Sequence, residues 1–223
     1  MTSPANILDL RTWKVTLPTG TPGPAPGQPG IPTEIKQPDL STYADSNFVV
    51  YGTGVRFRAS VSGINQSGSK YPRCELREMT ANGVGLASWS PAIGRHTMGI
   101  TQQINKLPTK KPEVVAGQIH DAAGFVLLIW VKGNGNGTAQ VIARGATIPD
   151  VVLNPAYVLG SQIRIDIEAT AGVIRCGSFA LPWTTGGCYF KAGCYTQSNV
   201  TIVGEDPASL GEVLLRSLAV THT

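Results

Sequence analysis

The sequence predicts an all-β fold, a β-jelly-roll sandwich of two antiparallel sheets, and three observations carry that expectation. Apolar residues recur with period two in short runs along the whole length, as in Val55, Phe57, Ala59 and Val61 set against Arg56, Arg58 and Ser60. The 26 glycines and 16 prolines cluster between those runs and supply turns. Helical periodicity is not sustained over any window of about 12 residues. Many short strands separated by turns fit a sandwich or jelly roll, in which one curved sheet can offer a concave groove to a long ligand.

The elements follow in order. Trp13, Val15 and Leu17 alternate as the inward side of a first strand. Pro18 to Pro32 reads as an irregular Pro/Gly-rich surface loop, because proline cannot donate to a sheet ladder. Too few residues precede it to form a separate domain, so residues 1–223 are expected to be one domain. Phe48 to Tyr51 and Val55 to Val61 are strands, Gly63 to Tyr71 is turn-rich, and Arg73 to Glu78 is a strand that ends or bulges at Glu78. His96 to Asn105, Val114 to His120 and Phe125 to Val131 follow. Gly133-Asn134-Gly135-Asn136-Gly137 turns into a hairpin strand, Ala139 to Arg144. Val158 to Thr170 and Gly172 to Phe179 form a pair bent at Ala171-Gly172. Tyr189 to Gln197 and Glu212 to His222 close the chain.

Composition narrows the function. Hydrophobic residues make up 42% and charged residues 14% of the chain, where about 25% charged is usual. Neutral polar groups must therefore cover much of the surface. The net charge of +4 is a mild bias that suits a polyanionic ligand if it is gathered in one cleft. No Lys/Arg run or basic helix is present, which argues against nucleic acid. No apolar run approaches the ~18 residues that would span a membrane. The N-terminal residues lack a basic region followed by an apolar stretch and do not read as a signal peptide. Cys74, Cys176, Cys188 and Cys194 have no zinc-type spacing and read as small buried hydrophobes, with all their possible pairings open.

Three blocks carry chemistry. In Arg73-x-Glu75-x-Arg77 the three side chains share one strand face, with the arginines about 7 Å apart. A guanidinium pair held by a carboxylate suits bidentate capture of carboxylates. Gln118 and His120 share a face, and the imidazole is a proton acceptor near neutral pH. Tyr189, Lys191, Gly193, Tyr195 and Gln197 form a polar face in which Gly193 leaves room for a ligand. Paired acids of the glycosidase kind, a GxSxG elbow, an HExxH motif and a P-loop are all missing. Arg, Gln, His and Tyr are instead the groups that β-elimination next to a uronate carboxylate needs.

Those three blocks, in this order and separation, resemble the alginate lyases of polysaccharide lyase family 7. Leu10 to Pro18 and Glu34 to Pro38 resemble them as well, so the likeness spans nearly the whole chain. The resemblance implies a jelly roll with a concave cleft and β-elimination of 1,4-linked uronates, with no metal or organic cofactor. It assigns Arg73, Gln118, His120 and Tyr195 as the catalytic set. Arg73 and Gln118 would neutralise the carboxylate. Tyr195 would be the acid, and for mannuronate also the base, while His120 would be the base for guluronate. Glu75, Arg77, Tyr189, Lys191 and Gln197 would bind substrate. The expected partner is an anionic polysaccharide, bound by a monomer acting outside the cell. Ile119 between Gln118 and His120 is associated in the family with guluronate-containing polymer. Cys74 departs from the family's usual Ser or Thr and should face the core, where it could meet Cys194. A same-fold lyase for another polyuronate such as glucuronan, and a non-catalytic carbohydrate-binding jelly roll, are the alternatives.

Overall fold

Alternation produces fifteen strands among residues 2–223, which the computed structural model describes. They are β1 (Trp13–Thr21), β2 (Ile31–Ile35), β3 (Phe48–Tyr51), β4 (Gly54–Ser60), β5 (Arg73–Glu78), β6 (Arg95–Lys106), β7 (Glu113–His120) and β8 (Phe125–Gly133). The remainder are β9 (Thr138–Gly145), β10 (Val151–Val158), β11 (Gln162–Thr170), β12 (Val173–Cys176), β13 (Phe179–Pro182), β14 (Tyr189–Thr196) and β15 (Leu210–His222). The helical content among these residues is two short 3₁₀ turns, Pro4–Asn6 and Asp39–Ser41.

The strands form two antiparallel sheets. One has eight strands in the order β10-β9-β8-β7-β14-β5-β1-β2, and the other has seven in the order β13-β12-β11-β6-β15-β4-β3. Their facing sides bury one continuous core that includes Trp13, Val15, Leu17, Phe48, Phe57, Leu76, Ile100, Ile119, Ile129, Phe190 and Val213. Each large apolar side chain so buried contributes about 1.5–3 kcal/mol. The β-jelly-roll expectation holds.

Three details differ from the sequence reading. The stretch Pro18 to Pro32 is not one loop, because β1 runs to Thr21 and β2 starts at Ile31. Pro18 is tolerated because the β1–β5 ladder stops at Thr16 and the β1–β2 register slips between Thr16 and Gly20. Pro32 lies on the sheet edge, where a missing donor costs little. Gly172 to Phe179 is not one strand, since Gly177 at φ +56° turns the chain between β12 and β13. Val158 ends a separate edge strand, β10, whose Pro155 conceals it in the sequence.

The four thiols are free and buried. Cys74 and Cys194 are register partners facing the core, and burial holds all four above the ordinary thiol range.

Candidate active site

β1, β5, β14 and β7 lie side by side in the eight-stranded sheet, and their pairing builds the site. Lys14 is opposite Arg77, Arg77 opposite Lys191, and Lys191 opposite Gln118. Three cations and an amide thus form one row across four strands, roughly 14 Å long at the usual strand spacing. On the next rows Tyr195 is opposite Arg73, and Tyr189 is opposite His120. This is the face turned away from the core, yet Arg73, Glu75, Gln118 and Lys191 are all buried there.

Glu75 is the hub. Its Oε2 takes Lys191 Nζ at 2.5 Å and Arg73 Nη1 at 3.1 Å, and its Oε1 accepts from Gln118 Nε2. Burial pushes the Glu75 carboxyl up, but Lys191 and Arg73 together outweigh it and hold the group below its ordinary value. Because the Gln118 amide must donate to this carboxylate, its Oε1 faces His120 Nε2 at 3.0 Å. Nε2 therefore carries the hydrogen, and Nδ1 is the proton-accepting nitrogen. Burial first, and then the Lys191 charge, lower His120 to about 4, so the imidazole is neutral at pH 7. Burial and the Arg73 charge lower Lys191 to about 8.

At one end, the Arg73 guanidinium lies 3.9 Å from the Tyr195 ring centroid and donates through Nη2 to Ser69 Oγ at 2.8 Å. Ser69 Oγ is also 3.1 Å from the Tyr195 hydroxyl. Beyond it, Lys111 Nζ donates to the Tyr71 hydroxyl at 3.2 Å, and the Tyr71 ring is 6.5 Å from Tyr195. At the other end Arg77 stacks 3.9 Å over Tyr189, whose ring is 5.8 Å from His120. Burial raises the Tyr189 phenol above its ordinary value. Arg77 has no ion pair among the described residues, so its charge is free for a ligand.

The structure therefore brings Arg73, Glu75, Arg77, Gln118, His120, Tyr189, Lys191 and Tyr195 onto one face. Gln197 is different. It lies just past β14, its amide donates to the Thr196 carbonyl at 2.9 Å, and it makes no hydrogen bond to the cluster. Gly193 also needs correcting as the residue that leaves room for a ligand. At φ +139°, a Cβ there would sit 2.7 Å from the Cys74 carbonyl and 3.0 Å from Phe57. Gly193 instead permits the β14 bulge against β7, between Ala192 and Tyr195. Sequence reasoning missed Lys14, which pairs with Glu34 at 2.5 Å, as well as Ser69 and Lys111. Lys14 had a signal, since it lies opposite the inward side chains of β1, but the adjacency of β1 to β5 is not written in periodicity. Among the described residues no cluster of three or more His, Cys, Asp or Glu is placed to hold a metal.

The alginate lyase family model matches residues 8–222. The chain is similar to the alginate lyase AlgAT5 from polysaccharide lyase family 7, with 40% identity over 100% of both chains and a TM-score of 0.90. It is similar to the alginate lyase from Corynebacterium sp., with 37% identity over 99% of this chain and 98% of that one, and a TM-score of 0.88. Alginate lyase A1-II' shares the fold at 24% identity over 100% and 99% of the two chains, with a TM-score of 0.81. No curated protein sequence matches the chain significantly. With the family model covering all but the chain's extremities and two solved relatives above 35% identity along its length, the chain belongs to the alginate lyase family, polysaccharide lyase family 7.

Proposed function

We propose that this chain depolymerises alginate by β-elimination, with His120 and Tyr195 moving the protons. The observation that carries this reading is the Glu75–Gln118–His120 chain of hydrogen bonds, which leaves a neutral imidazole nitrogen ready to accept a proton beside a phenol and a row of cations. Arg73 and Gln118 neutralise the uronate carboxylate, so that the charge developing at the neighbouring carbon is tolerable. His120 Nδ1 takes the C5 proton of a guluronate, and the electron pair forms the C4–C5 double bond. The C4–O bond breaks, and the Tyr195 hydroxyl protonates the departing oxygen. For mannuronate, whose C5 proton is on the opposite face, Tyr195 supplies both functions. Arg77, Lys191 and Tyr189 hold the neighbouring sugars.

Cations lie on both sides of Tyr195, with Lys111 in one direction and Lys191, Arg77 and Lys14 in the other. That arrangement favours binding within a chain rather than at its end, and therefore endo action by one catalytic domain; a polymer too large to enter a cell puts that action outside it. A panel of alginate, mannuronan, guluronan and glucuronan, read by the ultraviolet absorbance of the conjugated uronate and by viscosity, tests this. A rapid viscosity fall with rising absorbance on alginate is expected. Absorbance on glucuronan alone would move the substrate, and absorbance without a viscosity fall would remove the endo assignment.

A further inference from the structure

We propose that Ser69 is a positioning residue that directs the Tyr195 proton, accepting a hydrogen bond from the phenol and donating one to the phenolate. The inference rests on the reading of Tyr195 as the proton-transferring group, and adds a residue to it.

Hydrogen counting around Ser69 carries the argument. Its Oγ donates its one hydrogen to the Tyr71 carbonyl at 3.2 Å and accepts from Arg73 Nη2 at 2.8 Å. With that hydrogen on the Tyr71 carbonyl, the remaining contact, 3.1 Å to the Tyr195 hydroxyl, has the phenol as donor; with it turned to Tyr195, the two hydroxyls exchange roles. The first arrangement directs the phenolic hydrogen towards Ser69. When Tyr195 has given up its proton, rotation of the Ser69 hydroxyl from the Tyr71 carbonyl to the phenolate supplies a charge-assisted bond. The Arg73 guanidinium, which touches both the Ser69 oxygen and the Tyr195 ring, strengthens it. No covalent bond changes, and only a hydroxyl rotates.

The local chain is built to hold Ser69 there. Gln66-Ser67-Gly68-Ser69 closes a turn through Ser69 N to the Gln66 carbonyl at 3.0 Å, with Gly68 at φ +76° supplying the positive dihedral. Buried Asn65 then caps the Ser69 carbonyl at 2.9 Å, and Asn199 holds the Lys70 carbonyl at 2.8 Å. These two contacts fix the backbone carbonyls of Ser69 and Lys70, and with them the position from which the Ser69 hydroxyl reaches Tyr195.

The test uses Ser69→Ala together with the near-isosteric pair Ser69→Thr and Ser69→Val. kcat and KM are measured on mannuronan and guluronan, and thermal unfolding is measured alongside. Loss of one charge-assisted hydrogen bond predicts a kcat on mannuronan lower by about tenfold or more in the Ala and Val variants. KM should stay within about twofold, the loss on guluronan should be smaller, and Thr should restore the rate. Wild-type kcat in Ala and Val would overturn the proposal, as would weaker binding, read as a raised KM, with kcat unchanged. So would Thr and Val falling equally. Tyr195→Phe run in parallel separates the two readings: full activity there defeats the role of Tyr195 itself, whereas an inactive Tyr195→Phe with normal Ser69 variants defeats only the inference about Ser69.

Discussion

Glu75 has almost no contact with water, yet it holds Lys191, Arg73 and Gln118 in fixed positions. Replacing it by Gln leaves two buried cations facing each other without a counter-charge. Removing one partner of a buried ion pair costs about 3–5 kcal/mol, so Glu75→Gln should lower the thermal midpoint and also free Gln118 from the orientation that sets the His120 tautomer. Calorimetry and activity should fall together, and an unchanged midpoint would deny Glu75 its place as the hub. His120 makes a second prediction at this scale. Its value in the folded chain, about 4, is below the ordinary imidazole value. The unfolded chain therefore binds the extra proton first. The stability contribution is complete above about pH 6.5 and drains away as pH falls towards 4. NMR titration of the His120 ring should give a midpoint near 4, and a midpoint near 6.5 would place the ring in water. The residue types of the site were legible in the sequence because Arg, Gln, His and Tyr are what the chemistry needs. Ser69 was not, because a serine in a Gly-rich turn looks like any other turn residue.

At the scale of the strand, alternation located the faces of β5 and β14 correctly even though β14 carries a bulge. The reason is that the extra residue at Gly193 disturbs pairing with β7 while pairing with β5 stays regular from Lys191 to Tyr195. β7 carries its own irregularity against β8, between Val115 and Gln118. Gln118 and Tyr195 face the same side because Gln118 pairs with Lys191 before the bulge and Lys191 and Tyr195 alternate onto one face along the regular β5 ladder. Gly193→Ala would force an L-residue into a positive dihedral against the Cys74 carbonyl, a strain of roughly 1–3 kcal/mol before any clash. Expected outcomes are a lower thermal midpoint and a kcat loss that exceeds the change in KM, because Tyr195 moves relative to His120. A variant with wild-type kinetics would show that the bulge does not set the site. Strand order was the part that periodicity could not supply. Alternation tells which way a side chain points but not which strand lies beside it, and so Lys14 and Glu34 went unassigned.

Across the whole molecule, the two sheets do different work. Their inner faces bury an apolar core built from the period-two runs, and this is the part most readable from sequence. The outer face of the eight-stranded sheet is polar but largely dry, a state that survives because every buried charge there, Glu75 above all, finds partners. At one end of the sandwich Glu78 performs a related task. It takes the Phe190 amide at 2.8 Å, Trp89 Nε1 at 3.0 Å and His222 Nε2 at 2.5 Å, and so ties β5 and β14 to the last strand of the other sheet. Glu78, where the sequence reading has the strand end or bulge, is buried and finds its partners as far away as position 222. Folding thus delivers the chemistry by bringing together segments that are more than 100 residues apart along the chain, Arg73 and Tyr195 among them. The claim that this assembled face performs elimination is tested most directly by ultraviolet progress curves for wild type and Tyr195→Phe on purified mannuronan and guluronan. The account predicts conjugated uronate from the wild type, and a rate lower by about 10²-fold or more in Tyr195→Phe, with polymer binding retained. Cleavage by the wild type without unsaturated product, or a Tyr195→Phe variant as fast as the wild type, would contradict it.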